Sequence, residues 1–329
     1  MQDMKKEEKR KSYEKQYICF LSTFPPRECG IATFTRDLAY SIKRRRNPKV
    51  DISIAAINDN PTTIYNYDHK VNFTISQNDI EDYIDLAKKI NKKKSIKVVS
   101  IQHEFGIFGG EYGNFLIPFL EALKKPAVVT FHSILQEPDE YQKKVVKFVV
   151  KKAAAIVVMA KKAIEILDKT YEVDTSKVYY VPHGAPVVPF SDTKAEKKKL
   201  GFEKRTVFST FGLLNNGKGI EYVIHALPEI VKKYPEVLYL VIGETHPQVR
   251  KSYGEEYRNY LQKLVEELGL KDHVKFYNKY LTLQELIFYL KATDIYISPG
   301  LDPNQIVSGT LSYALACGKA IISTKFLHA

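Results

Sequence analysis

A lysine follows one predicted strand in a glycine-rich loop whose chemistry suits an anion. The apolar run 206–211 leads into Gly212-Leu-Leu-Asn-Asn-Gly-Lys218-Gly219. The Asn-Gly pair predicts a tight turn, and Lys218 places a positive charge at the start of the following helix. A diphosphate would suit this loop. The alternative is an ordinary turn that carries a surface lysine.

The last predicted helix also begins in a way that suits an anion. It follows a predicted strand and opens with Ser308, Gly309 and Thr310, whose backbone N–H groups would face a bound ligand. The small residues of this helix would also allow it to pack closely on the sheet, which is the structural alternative. Glu244 stands in another polar loop that follows a predicted strand.

Glycines mark two further loops after strands. A helix is predicted to begin at Gly30, and the free N–H groups at its positive end indicate a phosphate or sugar-hydroxyl site, with a plain strand–helix turn as the alternative. Gly109, Gly110 and Gly113 would let the backbone approach a bound group closely. Neither a GxGxxG motif nor a GxxxxGK[ST] motif is present, so the dinucleotide and P-loop interpretations are weak.

Two histidines come directly after predicted strands that follow one another along the chain. His103 and Glu104 follow the run 97–101, and His132 follows the run 127–131. Because the carboxyl ends of parallel strands share one edge of a sheet, we expect both imidazoles to face one ligand site. His103 and Glu104 can form a hydrogen-bonded pair; alternatively, His103 is a loop histidine with local partners.

Sheets are needed to position these loops, and the hydrophobic pattern predicts two sheets. Short runs rich in Val and Ile alternate with longer amphipathic segments, which predicts parallel sheets covered by helices on both faces. The predicted strands are 17–22, 51–57, 97–101, 127–131, 155–159 and 178–181, then 206–211, 238–242, 274–277, 294–298 and 320–323. In the second half, the predicted helices are 219–233, 255–268, 283–291 and 308–317.

The predicted fold class is α/β, with two Rossmann-like, doubly wound domains that face a cleft. We expect a charged tail at 1–16, an N-terminal domain at 17–190, a linker at 191–204 and a C-terminal domain at 205–329. A doubly wound domain would continue beyond its strand at 320–323 with another helix and strand. We therefore expect the C-terminal domain to be incomplete in this sequence, and activity to be weakened or absent if this is the entire polypeptide.

The composition is that of an ordinary globular protein. The chain has 329 residues, 44% of them hydrophobic and 27% charged, a length that suggests two domains. These values exclude a collagen-like chain, a small disulfide scaffold and a mainly disordered protein. Three widely separated cysteines without metal-binding spacing indicate a reducing compartment and no metal site. Because no signal peptide or long apolar run is present, we expect a cytoplasmic location.

The formal net charge of +12 favours an anionic partner: a phosphorylated ligand, nucleic acid or an acidic membrane. Surface solvation alone is the alternative. Nucleic acid is the weakest of these partners, because the basic residues are scattered doublets without an aromatic platform motif. The segment 139–152 places Lys143, Lys147 and Lys151 at helical spacing, so this helix is a candidate for peripheral attachment to the inner face of an anionic membrane. The alternative is a core helix with a solvated lysine face.

Five motifs in order resemble the GT-B glycosyltransferases of family 4. They are Cys-Gly-Ile-Ala-Thr at 29–33, Thr-Phe-His at 130–132, Val-Pro-His-Gly at 181–184, Gly-Leu-Leu-Asn-Asn-Gly-Lys-Gly at 212–219 and Ala-Leu-Ala-Cys-Gly at 314–318. The resemblance extends from Tyr17 to Ala329. It implies a nucleotide-sugar donor held mostly by the C-terminal domain and an acceptor bound by the N-terminal domain. It also implies transfer with retention of anomeric configuration, without a metal or other cofactor.

The resemblance assigns roles to individual residues. His132 matches a histidine that contacts the donor sugar near the reacting centre, and Lys218 matches a lysine that neutralises the donor diphosphate. Further donor contacts are implied for Gly30, Gly212, Gly219, Glu244, Gln305, Ser308, Gly309, Thr310 and Tyr313. Acceptor or sugar contacts are implied for Ile31, His103, Glu104, Gly109 and Gly110. The departing phosphate would take the acceptor's proton, so the chemistry requires no protein base.

Three positions depart from the family pattern. Many members have an arginine where this chain has Leu213, and paired glutamates where it has Gln305 and Tyr313. The pattern Gln-x-x-Ser-Gly-Thr-Leu resembles a bacterial and archaeal subgroup, which favours a variant donor site.

The leading hypothesis is a retaining glycosyltransferase that moves a hexose, mannose or glucose, from GDP-mannose or UDP-glucose to a carbohydrate or lipid-linked acceptor. A second hypothesis, motivated by the three departures, is a catalytically inactive nucleotide-sugar-binding protein. A basic nucleic-acid-binding protein is a remote third.

Overall fold

The computed structural model describes residues 15–45, 49–59 and 62–329, and these form two compact units. The first unit contains the described residues up to His132, with Glu137–Val158 and Ile164–Tyr179. The second contains Ser133–Gln136, Met159–Ala163 and Tyr180–Ala329. The charged tail predicted at 1–16 lies outside the described residues, apart from its last two.

A seven-stranded sheet forms the centre of the first unit. Its strands are β1 (Gln16–Ser22), β2 (Val50–Asn58), β3 (Val71–Ser76), β4 (Ile96–His103), β5 (Ala127–Phe131), β6 (Ala155–Val158) and β7 (Val178–Tyr180). They lie in the order β3-β2-β1-β4-β5-β6-β7, and the pairings from β3 through β6 are parallel. The helices of this part of the chain are α1 (Gly30–Arg44), α2 (Ile80–Lys92), α3 (Leu116–Ala122), α4 (Glu140–Lys152) and α5 (Lys161–Lys169).

The second unit contains a five-stranded parallel sheet. Its strands are β8 (Thr206–Phe211), β9 (Val237–Ile242), β10 (Val274–Tyr277), β11 (Ile295–Ser298) and β12 (Ala320–Ser323), in the order β10-β9-β8-β11-β12. Its helices are α6 (Lys194–Leu200), α7 (Ile220–Lys233), α8 (Pro247–Tyr253), α9 (Glu256–Glu267), α10 (Leu283–Ala292) and α11 (Gly309–Ala316).

The central strands are apolar on both faces because helices cover both sides of a parallel sheet. All six residues of β9 are buried, and so are the seven central residues of β2. The α/β fold with two parallel sheets that the sequence predicted is confirmed. The predicted bounds of β5, β8, β10 and β12 agree with the structure residue for residue.

Two elements were not predicted. Edge strand β3 alternates exposed and half-buried residues, so it lacks the continuous apolar run that marks its neighbours. Helix α8 is seven residues long, begins with Pro247 and is capped by His246, whose ring accepts the backbone N–H of Gln248. Both elements are too short or too polar for hydrophobic periodicity to reveal.

Helix α4 corresponds to the segment that was a candidate for membrane attachment. It begins with a capping box formed by Asp139 and Gln142. Val145 and Val149 are buried, so the apolar face of the helix packs into the first unit, while Lys147 pairs with Glu172 at 2.9 Å. Across the three described ranges, no helix combines the length and the apolar character needed to cross a membrane.

A buried ion pair attaches α6 to the second sheet. The ammonium of Lys197 donates to the carboxylate of Asp294, and Lys197 is only 8% exposed. The same carboxylate accepts the backbone N–H of Val207 at 2.7 Å and the hydroxyl of Thr193 at 3.1 Å. One aspartate therefore joins the polar segment before β8 to the strand itself and to the start of β11.

We predict that Asp294→Ala destabilises the second unit by about 3 kcal/mol, because it leaves the buried Lys197 ammonium without its counter-ion. Urea unfolding followed by circular dichroism measures the loss. The control is Glu267→Ala, which breaks a surface pair with Lys263 at 3.5 Å and should cost less than about 1 kcal/mol. Equal losses for the two variants would contradict this account of the Asp294 pair.

Candidate functional site

The carboxyl ends of β8 and β11 open onto a cavity of about 210 Å³ in the second unit. Ligands of open α/β sheets bind at this edge. The cavity is lined by the ends of the two strands, by the loop that follows each and by the start of α11. Its lining residues are Thr210, Phe211, Asn215, Gly217, Lys218, Tyr296, Ser298, Pro299, Gly300, Asp302, Gln305, Ser308 and Thr310.

The loops that follow β8 and β9 are in close backbone contact. Gly212 and Gly243 both have φ of +135°, and a Cβ on Gly243 would lie 2.1 Å from the carbonyl oxygen of Gly212. Beyond the glycines, the N–H of Leu214 donates to Glu244 and the N–H of His246 donates back to Leu214, at 2.8 and 2.9 Å. A side chain at position 243 is therefore excluded, because it would separate the two loops.

The loop after β8 also packs against the loop after β11. Gly219 has φ of +64°, and a Cβ there would lie 2.3 Å from the carbonyl oxygen of Pro299. The N–H of Leu301 donates to the carbonyl of Gly217 at 2.9 Å. The glycines that the sequence placed around a diphosphate thus bring three loops together and shape the wall of the cavity.

Lys218 supplies a cation to this wall. It ends a short 3₁₀ turn over Asn216–Lys218, and its Nζ lies near the backbone of Gly212, 3.7 Å from where a Cβ would stand. Burial lowers the pKa of the amine, and its charge in turn helps to lower the pKa of His246, which burial already depresses. In the described ranges, no carboxylate pairs with this amine. The geometry leaves a partly desolvated positive charge beside an open cavity.

The start of α11 forms another wall. The hydroxyl of Ser308 accepts the N–H of Leu311 at 3.3 Å and lies 3.2 Å from that of Thr310. The backbone N–H of Ser308 is already used, since it donates to Nδ1 of His328 at 2.7 Å. Only some of the backbone N–H groups that were predicted to face a ligand are therefore available to one. Gly309 does not line the cavity; a Cβ there would lie 3.1 Å from Nε2 of His183.

The remaining predicted donor residues divide into two groups. Gln305 lines the cavity, where its amide nitrogen donates to the carbonyl of Val307 at 2.9 Å. Tyr313 and Glu244 do not line it: the Tyr313 ring lies 6.2 Å from that of His183, and Glu244 pairs with Arg250 at 3.4 Å. The structure thus brings Lys218, Gln305, Ser308 and Thr310 together, and places the other two outside the cavity.

A buried arginine behind these loops was not found from the sequence. Arg258 of α9 is 3% exposed, and its guanidinium donates to the carbonyl of Gly243 at 2.8 Å and to Glu255 at 3.1 Å. Glu255 also accepts the hydroxyl of Thr245. Burial opposes ionisation of Glu255, but the hydrogen bonds from Thr245 and Arg258 outweigh it and hold the pKa of the carboxyl below its usual value. This network fixes the loop after β9.

In the first unit, His132 lies at the carboxyl end of β5. Its Nε2 is 3.1 Å from the side-chain oxygen of Gln102, and the ring meets the edge of Phe34 at a centroid distance of 4.7 Å. Gln102 is fully buried and donates to the hydroxyl of Ser100 at 3.1 Å. These partners hold the imidazole in one orientation. Neither Gln102 nor Phe34 was identified from the sequence.

His103 is a core residue in this structure. It is fully buried between the rings of Phe105, Phe108 and Phe131, at centroid distances of 5.2, 5.7 and 4.8 Å. Neither ring nitrogen has a hydrogen-bond partner among the described residues, and burial lowers the pKa of the imidazole to about 3. The predicted His103–Glu104 pair is wrong, because the Glu104 carboxylate turns to the N–H of Phe105 at 3.0 Å.

The glycines that follow His103 are required by the close packing of their own loop. A Cβ on Gly109 would lie 1.9 Å from the carbonyl of Gln77, and one on Gly110, at φ of +76°, would lie 1.9 Å from the side chain of Asn114. These contacts alone exclude larger residues there.

At the other predicted loop, Gly30 is exposed and begins α1, whose N-cap Cys29 makes no side-chain hydrogen bond to the helix. The carbonyl of Ile31 accepts the hydroxyl of Thr35 at 2.7 Å. Over residues 15–45, 49–59 and 62–329, no group of three His, Cys, Asp or Glu side chains is arranged to hold a metal ion.

Residues 192–328 match the family model of glycosyl transferases group 1. This match spans the whole second sheet and every residue that lines the cavity. No curated protein sequence matches the chain.

Solved structures share the fold over almost the whole chain. Sucrose-phosphate synthase from Thermosynechococcus elongatus superposes with a TM-score of 0.72 at 16% identity, covering 95% of this chain and 82% of its own. A Rickettsia africae glycosyltransferase gives 0.71 at 17%, covering 96% and 81%. Anabaena HepE in complex with UDP gives 0.68 at 17%, covering 94% and 81%. The predicted GT-B fold class is confirmed.

We predict that Arg258→Met in the group 1 segment loosens the loop after β9. The substitution removes the guanidinium donor from the carbonyl of Gly243 and from Glu255, which retains the hydroxyl of Thr245, and this should cost about 2 kcal/mol. Hydrogen exchange at the Leu214 and His246 amides, which join the two loops, should become faster. Lys263→Met, on the exposed face of the same helix, is the control. Unchanged exchange in Arg258→Met would show that the arginine does not hold the loop.

We predict that His103 makes the first unit less stable in acid. Its folded pKa of about 3 lies below the unfolded value of 6.5, so between these pH values only the unfolded state binds the proton. Stability should fall by about 1.4 kcal/mol per pH unit from this group alone, and should not change above pH 7. Urea unfolding between pH 7.5 and about pH 4.5 should therefore show a shallower loss for His103→Phe than for the unmodified chain.

The control for this pH series is His225→Gln, which alters an exposed histidine of α7. Its pH dependence should be that of the unmodified chain. Parallel curves for His103→Phe and the unmodified chain would mean that the imidazole takes up a proton in the folded state as easily as in the unfolded one.

Proposed function

We propose that this chain is a retaining glycosyltransferase that moves a hexose from a nucleoside-diphosphate sugar to a carbohydrate or lipid-linked acceptor. The observation that carries the proposal is the Lys218 amine, which has no carboxylate partner among the described residues and stands at a cavity inside the segment that matches glycosyl transferases group 1. A donor diphosphate supplies the counter-ion for this amine.

Lys218 acts on the leaving group. Breaking the bond between the sugar and the diphosphate leaves additional negative charge on the terminal phosphate, and a fixed ammonium beside it stabilises that charge. Because the amine is partly desolvated, its attraction for the phosphate is stronger than in water. The reaction needs no metal in this proposal, since the lysine and the start of α11 supply the positive charge.

Polar groups around the lysine orient the donor. Ser308 and Thr310 present hydroxyls next to the cavity, and Gln305 presents an amide whose oxygen remains available to a sugar hydroxyl. Tyr313 and Glu244 lie outside the cavity wall, so we assign them no direct donor contact in this structure.

His132 is the proposed sugar contact from the first unit. The hydrogen bond to Gln102 and the edge contact with Phe34 fix its ring, which preorganises the imidazole for a hydroxyl or a developing charge. We place the acceptor in the first unit as well, near Gly30 and Ile31. The departing phosphate accepts the proton of the acceptor hydroxyl, so His132 orients and does not need to act as a base.

A uridine-diphosphate sugar is the first donor to test. HepE was crystallised with UDP and with UDP-glucose, and its fold matches this chain. GDP-mannose is the alternative donor. We place the activity in a reducing compartment, because Cys19, Cys29 and Cys317 are free thiols.

A thermal-shift screen of UDP, GDP, ADP and their sugar conjugates tests donor binding. One nucleoside diphosphate should stabilise the chain, by about 2.7 kcal/mol at a hundredfold excess over Kd. Lys218→Met should abolish the shift while leaving the unliganded melting temperature equal or higher, because it removes a poorly solvated charge. Lys263→Met, an exposed lysine of the same unit, should keep the shift.

Transfer is tested separately by proton NMR of the anomeric signal. Retention is expected, and an inverted product would overturn the proposed mechanism. Donor binding without transfer or hydrolysis would favour a nucleotide-sugar-binding protein that lacks catalysis. One observation favours this second hypothesis. Gln305 stands where many relatives carry a carboxylate, and its amide nitrogen already donates a hydrogen bond to the carbonyl of Val307. The absence of a shift with every nucleotide would contradict both forms of the hypothesis.

A further inference from the structure

Eight lysines stand at the amino ends of four neighbouring strands in the first unit. Strands β4, β5, β6 and β7 are adjacent in the sheet, and each is preceded by one or more of these residues. We call them the lysine row: Lys92, Lys93, Lys94, Lys124, Lys125, Lys151, Lys152 and Lys177. Since neighbouring strands lie about 4.8 Å apart, the row extends about 15 Å along the sheet edge.

Hydrogen bonds show that the row is one surface. The amine of Lys125 donates to the carbonyl of Lys93 at 3.4 Å, and the amine of Lys177 donates to that of Lys151 at 3.2 Å. Asn91 connects the ends of two helices, because its amide donates to Ala122 at 2.8 Å. The segments that precede the four strands are therefore held side by side.

Carboxylates are absent from the segments that carry the row. Residues 91–97, 123–126, 151–154 and 175–178 contain no Asp or Glu. No ion pair involves a lysine of the row within the described ranges. The acids closest in sequence are Asp85, Glu121 and Asp174, of which the first pairs with Lys88 and the last accepts two hydrogen bonds from Ser176.

Some of the lysines in corresponding positions elsewhere are neutralised. In the second unit, Lys271 pairs with Glu266 at 2.9 Å and Lys291 pairs with Glu196 at 3.1 Å. At the other half of the first sheet, Asp51 lies within 4.0 Å of three lysine amines. Lys204, Lys232 and Lys233, which precede β8 and β9, form no ion pair within the described ranges, but their segments contain Glu203 and Glu236. The row is therefore distinguished by the number of its lysines and by the absence of acids from its segments.

Helix dipoles account for only part of the row. Lys92 and the pair Lys151–Lys152 lie in the last turns of α2 and α4, where a cation is favoured. Lys94 and Lys124 stand outside the helices, so the dipoles do not explain them, whereas the amine of Lys177 donates to the carbonyls of Lys151 and Ala153 at the end of α4, at 3.2 and 2.8 Å. Mutual repulsion among the lysines of the row lowers the stability of the fold unless an anionic partner binds there.

We propose that the lysine row is a docking surface for an anionic lipid bilayer. All eight residues are lysines, whose compact charges suit a surface of mobile head groups, whereas arginine is favoured for bidentate contacts with a fixed phosphate. The aromatic rings at this edge, Phe73 and Phe148, lie beneath the amines of Lys93 and Lys152, so they offer no platform for stacking bases.

The position of the row leaves the carboxyl edge of the same sheet free. His132 follows the carboxyl end of β5, whereas Lys124 and Lys125 precede its amino end. A membrane that contacts the row would therefore not cover the histidine. The apolar face of α4 is buried, so attachment depends on charge and not on insertion of a helix.

Vesicle co-sedimentation of the whole chain tests this proposal. The probes are phosphatidylcholine vesicles with and without about 30% phosphatidylserine. Binding should require phosphatidylserine and should weaken steeply between about 0.05 and 0.3 M salt. Each lysine near an anionic surface strengthens binding about fivefold, so four substitutions should weaken it by at least tenfold.

The test variant carries Lys92→Gln, Lys94→Gln, Lys124→Gln and Lys151→Gln, all exposed amines that form no ion pair with a described residue. The matched control carries Lys198→Gln, Lys204→Gln, Lys232→Gln and Lys233→Gln in the second unit, which removes the same charge elsewhere. Circular dichroism and the melting temperature of each variant verify that it is folded.

The expected result is loss of binding in the row variant and binding within about twofold of the unmodified chain in the control. Equal losses in both variants would mean that net charge alone is responsible and would overturn the proposal. Absence of binding to phosphatidylserine vesicles at low salt would also overturn it. Duplex or single-stranded DNA that binds through the row while vesicles do not would replace the membrane by a nucleic acid.

Discussion

The carbonyl oxygen of Gly212 fills the space in which any side chain at Gly243 would stand, so the loops after β8 and β9 are in backbone contact. A second close approach, between Gly219 and Pro299, brings in the loop after β11. These contacts leave little room for water around Lys218, and burial lowers the pKa of its amine. The electrostatic character of the cavity therefore follows from the size of three glycines.

Partial desolvation of the Lys218 ammonium lowers the stability of the free protein and strengthens the attraction for a bound anion. Within the described residues this ammonium has no carboxylate partner, which is unfavourable in a partly dry wall of the free protein. In the proposed donor complex, a diphosphate would remove that penalty. Other buried charges of the second unit have partners of opposite charge. Arg258 pairs with Glu255 behind the loop, and Asp294 neutralises Lys197 at the base of the sheet. Structural charges are paired, and the charge that faces the cavity is left for the ligand.

Most of the framework could be predicted from the sequence, because buried parallel strands are uninterrupted apolar runs. Lys218 lines a cavity, as expected for a glycine-rich loop at the carboxyl end of such a strand, and its contact with a diphosphate stays a prediction. The pairing of His103 with Glu104 failed for a physical reason: successive residues of extended chain point to opposite sides. Gln102 and Arg258 could not be found, because their roles depend on partners 30 and 15 residues away.

The two edges of the first sheet differ in how they treat charge. At the carboxyl edge, burial keeps His103 neutral, and Gln102, an uncharged partner, orients His132. At the amino edge, the lysine row concentrates positive charge without acids of its own. The net charge of +12 is therefore not evenly distributed, since the segments that carry the eight lysines of the row contain no acid. In the proposed function, the acceptor binds at the carboxyl edge of this sheet while the lysine row at the opposite edge contacts an anionic surface, so the two can bind independently.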